Sequence, residues 1–313
     1  MNTRRIGALD VSVVGLGCNN FGGRIDEAAT KGVVDAALEA GINFFDTADV
    51  YGGTKSEEFL GRVLGSRRDS VLIATKFGIK LDDARPGGGR PEYIRQAAED
   101  SLRRLGTDRI DLYQIHRPDP EVPIEETLGA LDELVRAGKV REIGCSNFSA
   151  EQLRTAEAAS RERGSARFVS VQNEYSLLKR GPEGDGVLAE CDRLGLGFLP
   201  YFPLASGLLT GKYRKGQPVP EGTRIRADSK QLTDENLDRV EALIRFAESR
   251  ERTVLELAFS WLLARPSVAS VIAGATKPDQ VRANVAANDW VLSREELAEI
   301  DALLAAGGTE PAG

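Results

Sequence analysis

Short apolar runs alternate with amphipathic segments along almost the whole chain, and the two kinds of segment have different periods. Runs rich in β-branched residues predict strands, whereas apolar residues that recur every three or four positions predict helices. The predicted strands are 11–14, 42–45, 71–75, 110–115, 140–145, 169–171, 197–200 and 268–272. The predicted helices are 27–39, 56–64, 91–105, 124–137, one that opens at Ser149, 187–194, 234–250, 253–264, 278–287 and 293–304.

Eight strands that each precede a helix predict the α/β class and, more narrowly, a (β/α)8 barrel. Strands that alternate with helices pair in parallel through right-handed crossovers, and eight such units close the sheet. The apolar residues around position 9 predict a short N-terminal hairpin, and the last two helices lie in the C-terminal region. We expect residues 1–313 to form one barrel domain with a mobile tail over 305–313. The long loops 82–90 and 203–231 are candidates for a functional role.

Composition and charge narrow the classes of partner. The net charge is −7, so we expect neither a nucleic-acid partner nor an anionic membrane surface. No apolar run approaches the roughly 20 residues of a membrane span, and we expect no signal peptide. The three scattered cysteines, Cys18, Cys145 and Cys191, form no disulfide or zinc pattern and favour a reducing compartment, so we expect a cytoplasmic protein. With one histidine, His116, we expect no metal site.

Polar residues end the predicted strands, and in a parallel barrel all these ends lie on the face where active sites occur. They are Asp46, Lys76, His116, Ser146 with Asn147, Gln172 and Tyr201. Strand ends are often polar for structural reasons, but an Asp, a Lys and the sole His together predict a catalytic site. A serine-hydrolase triad is not expected, because the chain has no G-x-S-x-G elbow. The segment Gly15-Leu16-Gly17 lacks the third Gly of a dinucleotide fingerprint and predicts a strand-to-loop turn.

Several longer segments, in fixed order, resemble the motifs of the aldo-keto reductases. They are 41–48 with Tyr51 and Gly52, 74–76, 111–116, 138–148, 171–173, 201–212, and 272–276 with Gln280 and Asn284. The resemblance covers roughly residues 4–305 and implies a barrel reductase that uses a nicotinamide dinucleotide without a Rossmann domain. The chain departs from the family pattern at Phe202, where many relatives have a small polar residue, and at Ala273, which is often Pro.

The resemblance implies a catalytic tetrad of Asp46, Tyr51, Lys76 and His116. Hydride delivery to a carbonyl carbon builds negative charge on the oxygen, so a proton donor must stand beside that oxygen. Tyr51 is the implied donor. Because a free phenol has a pKa of about 10, we expect the Lys76 ammonium to lower it. Asp46 is expected to hold Lys76 charged and oriented, and His116 to offer an N–H to the same oxygen. The expected reaction reduces an aldehyde or ketone to the alcohol.

The resemblance also implies which residues contact the cofactor. Ser146, Asn147 and Gln172 are implied to hold the nicotinamide carboxamide, with Tyr201 stacked on its ring. The implied contacts of the pyrophosphate are Leu204, Gly207, Leu209 and Lys212, and those of the adenosine end are Gly274, Thr276, Lys277, Gln280 and Asn284. Lys277, with Arg282 nearby, favours NADP(H), with NAD(H) as the alternative. The only acidic residue there, Asp279, is expected to cap the following helix.

Two questions stay open at the level of sequence. Phe21, Phe148, Phe202 and Trp290 are candidates to line the substrate pocket, although aromatic residues are as often core residues. The expected partner is a small-molecule carbonyl substrate, and a sugar or sugar-nucleotide is one variant of it. The alternative function is a nicotinamide-binding regulatory module that resembles channel-associated β subunits, because those relatives keep the same tetrad. The oligomeric state is left open.

Overall fold

The computed structural model describes residues 1–226 and 228–306. At its centre lies a sheet of eight parallel strands, which an antiparallel N-terminal hairpin precedes in the chain. The hairpin strands are β1 (Thr3–Ile6) and β2 (Leu9–Ser12). The barrel strands are β3 (Val14–Gly17), β4 (Phe44–Asp46), β5 (Leu72–Phe77), β6 (Ile110–Ile115), β7 (Val140–Ser146), β8 (Phe168–Glu174), β9 (Gly197–Tyr201) and β10 (Val271–Gly274). Strands β3 to β9 pair in chain order and β10 pairs with β3, which confirms the predicted (β/α)8 barrel and its hairpin.

The barrel closes between its last two strands and is filled from its amino-terminal end. Phe198 and Val268 form the bridge that joins the β9 and β10 sides. The hairpin plugs the opposite end from the strand carboxyl termini, where Ile6 is fully buried against Gly197 at the start of β9. A Cβ at Gly197 would lie 2.8 Å from Ile6 Cγ1, so this close approach requires glycine.

Arg4 ties the hairpin to the far end of the chain. Its guanidinium donates hydrogen bonds to the carbonyls of Leu263 at 2.7 Å, Arg265 at 2.9 Å and Val268 at 2.5 Å. Leu263 ends a helix, and Arg265 and Val268 follow it, so none of the three carbonyls has an N–H partner within the helix. Carbonyls at a helix C-terminus commonly need such donors from elsewhere. The first strand and the last crossover are therefore joined by charge-assisted hydrogen bonds.

Helices surround the sheet and connect its strands. They are α1 (Glu27–Glu39), α2 (Lys55–Leu64), α3 (Pro91–Leu105), α4 (Ile124–Arg136), α5 (Ala150–Arg163), α6 (Gly181–Gly184), α7 (Val187–Leu194), α8 (Asp234–Glu248), α9 (Val254–Leu263), α10 (Pro278–Ala286) and α11 (Arg294–Ala306). Short 3-10 turns cover Tyr51–Thr54, Gly65–Ser70 and Ala205–Thr210. The predicted start of α5 is confirmed, because Ser149 and Gln152 form a reciprocal capping box.

Many boundaries differ from the sequence prediction by a few residues, and two of these differences change the description of the fold. The segment Gly15 to Gly17 is not a turn but part of β3, because a side chain there would collide with the neighbouring strand. A Cβ at Gly15 would lie 2.8 Å from Ser270 Oγ, so only glycine lets the strands approach this closely. The final helix continues to Ala306, so the first two residues of the predicted mobile tail are helical. Residues 307–313 lie outside the described part of the chain.

Two kinds of feature are absent from residues 1–226 and 228–306. No helix in these ranges is long and apolar enough to cross a membrane. No group of three or more His, Cys, Asp and Glu side chains in the same ranges is arranged to hold a metal ion. The polar chemistry of the described residues is concentrated instead at the carboxyl ends of the barrel strands.

Candidate active site

The predicted site residues meet at the carboxyl end of the barrel. Asp46 ends β4, Ser146 ends β7 and Tyr201 ends β9, while His116 is the first residue after β6. Lys76 lies one position before the end of β5. Because the strands are parallel and in register, these five positions surround one opening, as expected for a barrel enzyme.

A buried ion pair between Lys76 and Asp46 forms the floor of this site. The Lys76 side chain is fully buried, and its Nζ lies 2.7 Å from Asp46 Oδ2. The same ammonium donates to the Thr47 carbonyl at 2.8 Å and to Tyr51 Oη at 3.5 Å. The three N–H donors of the ammonium are thereby directed at three oxygens. The other Asp46 oxygen, Oδ1, accepts a hydrogen bond from Gln172 Nε2 at 2.9 Å.

A glycine turn brings Tyr51 over Lys76. Tyr51 opens the Tyr51–Thr54 turn, in which Gly52 and Gly53 have φ of 59° and 66°. A Cβ at Gly52 would lie 2.5 Å from the Phe21 carbonyl oxygen, so the turn can pack here only with glycine. The Lys76 ammonium lies 5.1 Å from the centre of the Tyr51 ring and beside its hydroxyl. The local sequence therefore fixes the phenol next to a permanent positive charge.

The pKa of Tyr51 moves in the direction opposite to the one expected from Lys76 alone. Removal of the phenol from water raises its pKa above the ordinary value, and the Lys76 ammonium offsets only part of that rise. For Lys76, burial alone would lower the pKa, but Asp46 and Tyr51 more than compensate and raise it. The expectation of a net lowering for Tyr51 is wrong, because desolvation outweighs the single neighbouring charge. At neutral pH the phenol keeps its proton and the lysine keeps its charge.

His116 is neutral and lies against Tyr51. The two rings meet edge to face, with centroids 5.9 Å apart. Desolvation, together with the charges of Lys76 and Arg117, lowers the pKa of His116 to about 3. Its backbone N–H donates to the Phe77 carbonyl at 2.8 Å, which fixes the residue at the end of β6. A neutral imidazole carries one N–H donor and one acceptor nitrogen. Its N–H can therefore polarise a carbonyl by hydrogen bonding while the ring carries no positive charge.

The remaining predicted polar residues form a connected network along the wall. The Tyr201 hydroxyl donates to Asn147 Oδ1 at 2.8 Å. Asn147 Nδ2 donates to the His116 carbonyl at 2.9 Å and to Ser146 Oγ at 3.1 Å. Ser146 Oγ in turn donates to the backbone carbonyl of Gln172 at 2.7 Å. Each side chain orients its neighbour, so the network holds these groups in fixed positions.

A cavity of about 760 Å³ opens above this floor and brings most of the predicted residues together. Its wall contains Asp46, Tyr51, His116, Ser146, Asn147, Gln172, Tyr201, Phe202, Leu204, Gly207, Lys212, Gly274, Thr276, Lys277, Gln280 and Asn284. The volume is in the range of pockets that take a cofactor and a small substrate. Lys76 lies beneath the wall, where it contacts Tyr51 and Asp46 rather than the cavity itself.

Besides Lys76, four predicted residues lie away from this wall. Leu209 and Phe21 are fully buried in the main apolar core. Phe148 is also a core residue and packs edge to face on Phe168, with centroids 5.6 Å apart. Trp290 stacks on Phe246 outside the barrel. Of the aromatic candidates for the substrate pocket, only Phe202 faces the cavity, because its loop turns back through a left-handed φ of 51°.

The charged residues around α10 differ in whether they can contact a ligand in the cavity. Arg282 donates to Asp279 at 2.9 Å and lies 3.8 Å from Glu39, and it is not part of the cavity wall. Asp279 therefore pairs with Arg282 instead of capping α10, whose cap residue is Lys277 without a side-chain cap. Lys277 faces the cavity and has no carboxylate partner among the described residues. The Gln280 side chain accepts hydrogen bonds from the Thr276 backbone N–H and hydroxyl.

Some site residues were not found from the sequence. Gln114 is buried in β6 and donates to Asp46 Oδ1 at 3.5 Å. The sequence does indicate Gln114 in one respect. It is a polar residue two positions before His116, and this spacing places both side chains on the same face of the strand. Arg24, Arg117 and Arg224 also line the cavity. They come from three separate loops, and no local pattern in those loops indicates that they share a wall.

Comparisons with known proteins agree with this geometry. The sequence model of the Aldo/keto reductase family matches residues 13–305. L-glyceraldehyde 3-phosphate reductase of Escherichia coli (strain K12) is 35% identical over 303 residues, covering 92% of this chain and 87% of that protein. A probable voltage-gated potassium channel subunit beta of Oryza sativa subsp. japonica is 33% identical over 295 residues, covering 91% of this chain and 90% of that protein.

A solved structure supports the same assignment at the level of the fold. The glycerol dehydrogenase AKR11B4 from Gluconobacter oxydans superposes with a TM-score of 0.86 at 32% identity, covering 100% of this chain and 98% of that chain. Members of the family are oxidoreductases that act on carbonyl and alcohol groups with the nicotinamide cofactors NAD(P)H. With a family match over nearly the whole length and a barrel of the same topology, this chain belongs to the aldo-keto reductase family.

Proposed function

We propose that this protein reduces an aldehyde or ketone with NADPH, and that Tyr51 is the proton donor. The observation that carries the proposal is the Lys76 ammonium, which is fully buried and lies within 3.5 Å of both Tyr51 Oη and Asp46. A charged lysine is costly to bury unless its charge has a purpose or a partner. Here it stabilises the phenolate that remains once Tyr51 has given up its proton.

The cavity fits a nicotinamide dinucleotide on two counts. Two lysines on its wall, Lys212 and Lys277, have no carboxylate partner among the described residues, which suits the phosphates of such a molecule. At Gly207, a Cβ would lie 3.3 Å from Lys212 Nζ, so glycine leaves the lysine head accessible. Ser146, Asn147 and Gln172 offer amide and hydroxyl groups for the carboxamide, and Tyr201 offers a ring face. When bound, the reduced nicotinamide supplies the hydride that the carbonyl carbon accepts.

The chain's own residues then account for the proton. Tyr51 enters the reaction protonated, because its pKa is raised, and donates from Oη to the carbonyl oxygen. His116 is neutral, with a pKa of about 3, and its ring N–H holds the same oxygen as negative charge develops there. Asp46 keeps Lys76 charged throughout. In the reverse direction the phenolate of Tyr51 is the base for an alcohol.

Tyr51→Phe tests the role of the phenol. We expect the variant to lose about 10²–10⁴-fold in turnover, because one positioned proton donor is typically worth that much. Turnover is measured on an activated aldehyde by loss of NADPH absorbance, and NADPH binding is measured separately by fluorescence. Turnover near that of the unaltered protein would refute the assignment, whereas lost NADPH binding would mean that the substitution disturbed the pocket. Turnover by the unaltered protein also separates an enzyme from a purely regulatory nicotinamide-binding module.

Lys277 is proposed to bind the 2′-phosphate, the group that NADPH has and NADH lacks. A lost charge-assisted contact is worth roughly 1.5–3 kcal/mol, so Lys277→Ala should weaken NADPH binding about tenfold or more and NADH binding much less. Arg282→Ala is the matched control, because that arginine is paired with Asp279 away from the cavity wall. NADPH and NADH are each titrated into the unaltered protein, Lys277→Ala and Arg282→Ala. An equal loss for both coenzymes in Lys277→Ala would contradict the proposal.

The setting of the activity is proposed on more general grounds. Cys18, Cys145 and Cys191 are all free and buried, which suits a protein of the reducing cytoplasm. We also infer that the described residues form a single barrel domain and that a small-molecule carbonyl compound is the substrate. The name of one relative, L-glyceraldehyde 3-phosphate reductase, supports a small aldehyde as the substrate.

A further inference from the structure

Three arginines on the cavity wall have no ionic partner among the described residues. Arg24, Arg117 and Arg224 line the cavity wall, and none of them makes a salt bridge or side-chain hydrogen bond with the residues described. Most other arginines of the chain do pair with a carboxylate, as Arg62 does with Glu27 at 2.8 Å. The chain as a whole is acidic, with a net charge of −7, so three unpaired cations on one wall are a local exception.

Arg224 is held beside the proton donor by an aromatic platform. Its guanidinium lies 4.9 Å from the centre of the Phe202 ring, a cation–π arrangement. Partial desolvation and the like charge of Arg24 lower the pKa of Arg224, and the nearby Tyr51 phenol acts in the opposite sense. Arg24 and Arg224 thus place two like charges on the wall of the cavity that Tyr51 also lines.

Arg117 lines the same cavity wall. It directly follows His116, and its charge lowers the pKa of that imidazole and partly offsets the raised pKa of Tyr201. The carboxylates on its own loop are already engaged. Asp119 accepts hydrogen bonds from two backbone N–H groups at 2.8 and 2.9 Å, and Glu121 lies 3.3 Å from Arg90. Arg117 is therefore left as a free cation at the mouth of the site.

The carboxylates of the cavity wall do not neutralise this set. Asp46 is bound to Lys76, and Glu221 is exposed on the long loop without a recorded partner among the described residues. The lysines proposed for the cofactor phosphates, Lys212 and Lys277, are further cations in addition to the three arginines. The wall thus holds more positive charge than the described carboxylates balance, and a guanidinium fork is suited to a phosphate or carboxylate.

We propose that the substrate is an aldehyde or ketone that carries an anionic group, phosphate or carboxylate, and that Arg24, Arg117 and Arg224 bind this group. The inference rests on the proposed reductase function and adds the charge of the substrate to it. An anion placed between these guanidinium groups removes their mutual repulsion and gains charge-assisted hydrogen bonds. The same positive wall attracts an anionic substrate from solution in a manner that salt weakens.

Matched pairs of substrates test the proposal. Glyceraldehyde 3-phosphate is compared with glyceraldehyde, and 4-carboxybenzaldehyde with its methyl ester, by kcat/KM with NADPH. We expect the charged member of at least one pair to be preferred about tenfold or more, and the pair with the larger ratio identifies the anion. Arg24→Gln, Arg117→Gln and Arg224→Gln should each lower that ratio, by about tenfold for the strongest contact. Arg226→Gln, an exposed arginine of the same loop that is not on the cavity wall, should leave the ratio unchanged.

Two further measurements separate the competing explanations. If the arginines serve the cofactor instead, the variants weaken NADPH binding and leave the charged-to-neutral ratio unchanged, which overturns the proposal. A ratio near one in the unaltered protein also overturns it, while turnover of the neutral aldehydes leaves the reductase function standing. If no aldehyde is reduced, the reductase function fails. Calorimetric titration of 4-carboxybenzaldehyde into the unaltered and Arg224→Gln proteins then decides whether the arginines bind the anion, and equal affinities would refute that.

Discussion

Replacement of Lys76 by Met leaves the Asp46 carboxylate buried without a cation. Met matches the length of the lysine stem, so the change removes the charge with little change in packing. The Lys76 side chain is 0% exposed and that of Asp46 is 5% exposed, so little water can reach the carboxylate to replace the lost ammonium. Removal of one member of such a buried pair typically costs about 3–5 kcal/mol. Because whole domains are stable by only about 5–15 kcal/mol, this is a large fraction of the total.

A double-mutant cycle isolates the charge from the loss of contacts. Asp46→Asn keeps an oxygen that can accept from Gln172 Nε2, as Asp46 Oδ1 does at 2.9 Å, but it removes the unpaired charge. The double variant Lys76→Met with Asp46→Asn should therefore be less destabilised than the sum of the two single variants, by about 2–3 kcal/mol. Urea denaturation followed by circular dichroism gives the free energy of unfolding of all four proteins.

The same four proteins report on catalysis. The two variants that lack Lys76 should lose turnover, because the Tyr51 phenolate then has no cation beside it. Asp46→Asn should also lose turnover, because Lys76 then lacks the carboxylate that keeps it charged and oriented. We expect the double variant to recover stability but not turnover. This result would indicate that the ion pair of Lys76 and Asp46 is needed for the reaction. Additive free energies, with a coupling below about 0.5 kcal/mol, would refute the argument that Asp46 is left as an uncompensated buried charge.

Two further predictions concern residues outside the cavity wall. Arg4→Ala removes three charge-assisted hydrogen bonds to backbone carbonyls and should lower the free energy of unfolding by about 2–4 kcal/mol, whereas Arg5→Ala, whose ion pair with Asp10 is exposed, should change it little; equal midpoints in urea would contradict this. Desolvation and the charge of Glu57 raise the pKa of Asp49 to about 7, above the unfolded value of about 3.9, so this group makes unfolding progressively easier as the pH rises from 4 to 7. Asp49→Asn should remove that slope and gain stability relative to the unaltered protein at pH 8 but not at pH 4, and an equal difference at both values in urea denaturation would count against it.

The barrel could be predicted because its signal is repeated. Each crossover in the chain contributes a short apolar run followed by an amphipathic segment, and helices such as α3 and α7 begin and end where the caps and periodicity indicate. The Gly15 to Gly17 segment could not be predicted as a strand, because its two glycines interrupt the side-chain pattern. The residues they approach, Ser270 just before β10 and Ile272 within it, lie far away in sequence.

The site could be predicted only as far as local order determines it. Asp46, Lys76 and His116 end or follow strands, so their meeting at one rim follows from the topology. Two features depend on how the loops fold back and were not predictable. One is the burial of aromatic residues such as Phe148 in the core. The other is the sign of the pKa shift of Tyr51, which is set by the balance between desolvation and one charge and needs three-dimensional positions to evaluate.

The contact between the two ends of the barrel has a consequence for synthesis on the ribosome. Strand β3 pairs with β10, so Val14 must wait for its partner Val271 until almost the whole chain has been made. At about 5–20 residues per second, that delay is roughly 13–50 s. Throughout it, one edge of the growing sheet has unpaired backbone groups, which is the condition under which nascent chains associate wrongly. Yield in the cell should therefore depend on chaperones that shield this edge until the last crossover emerges.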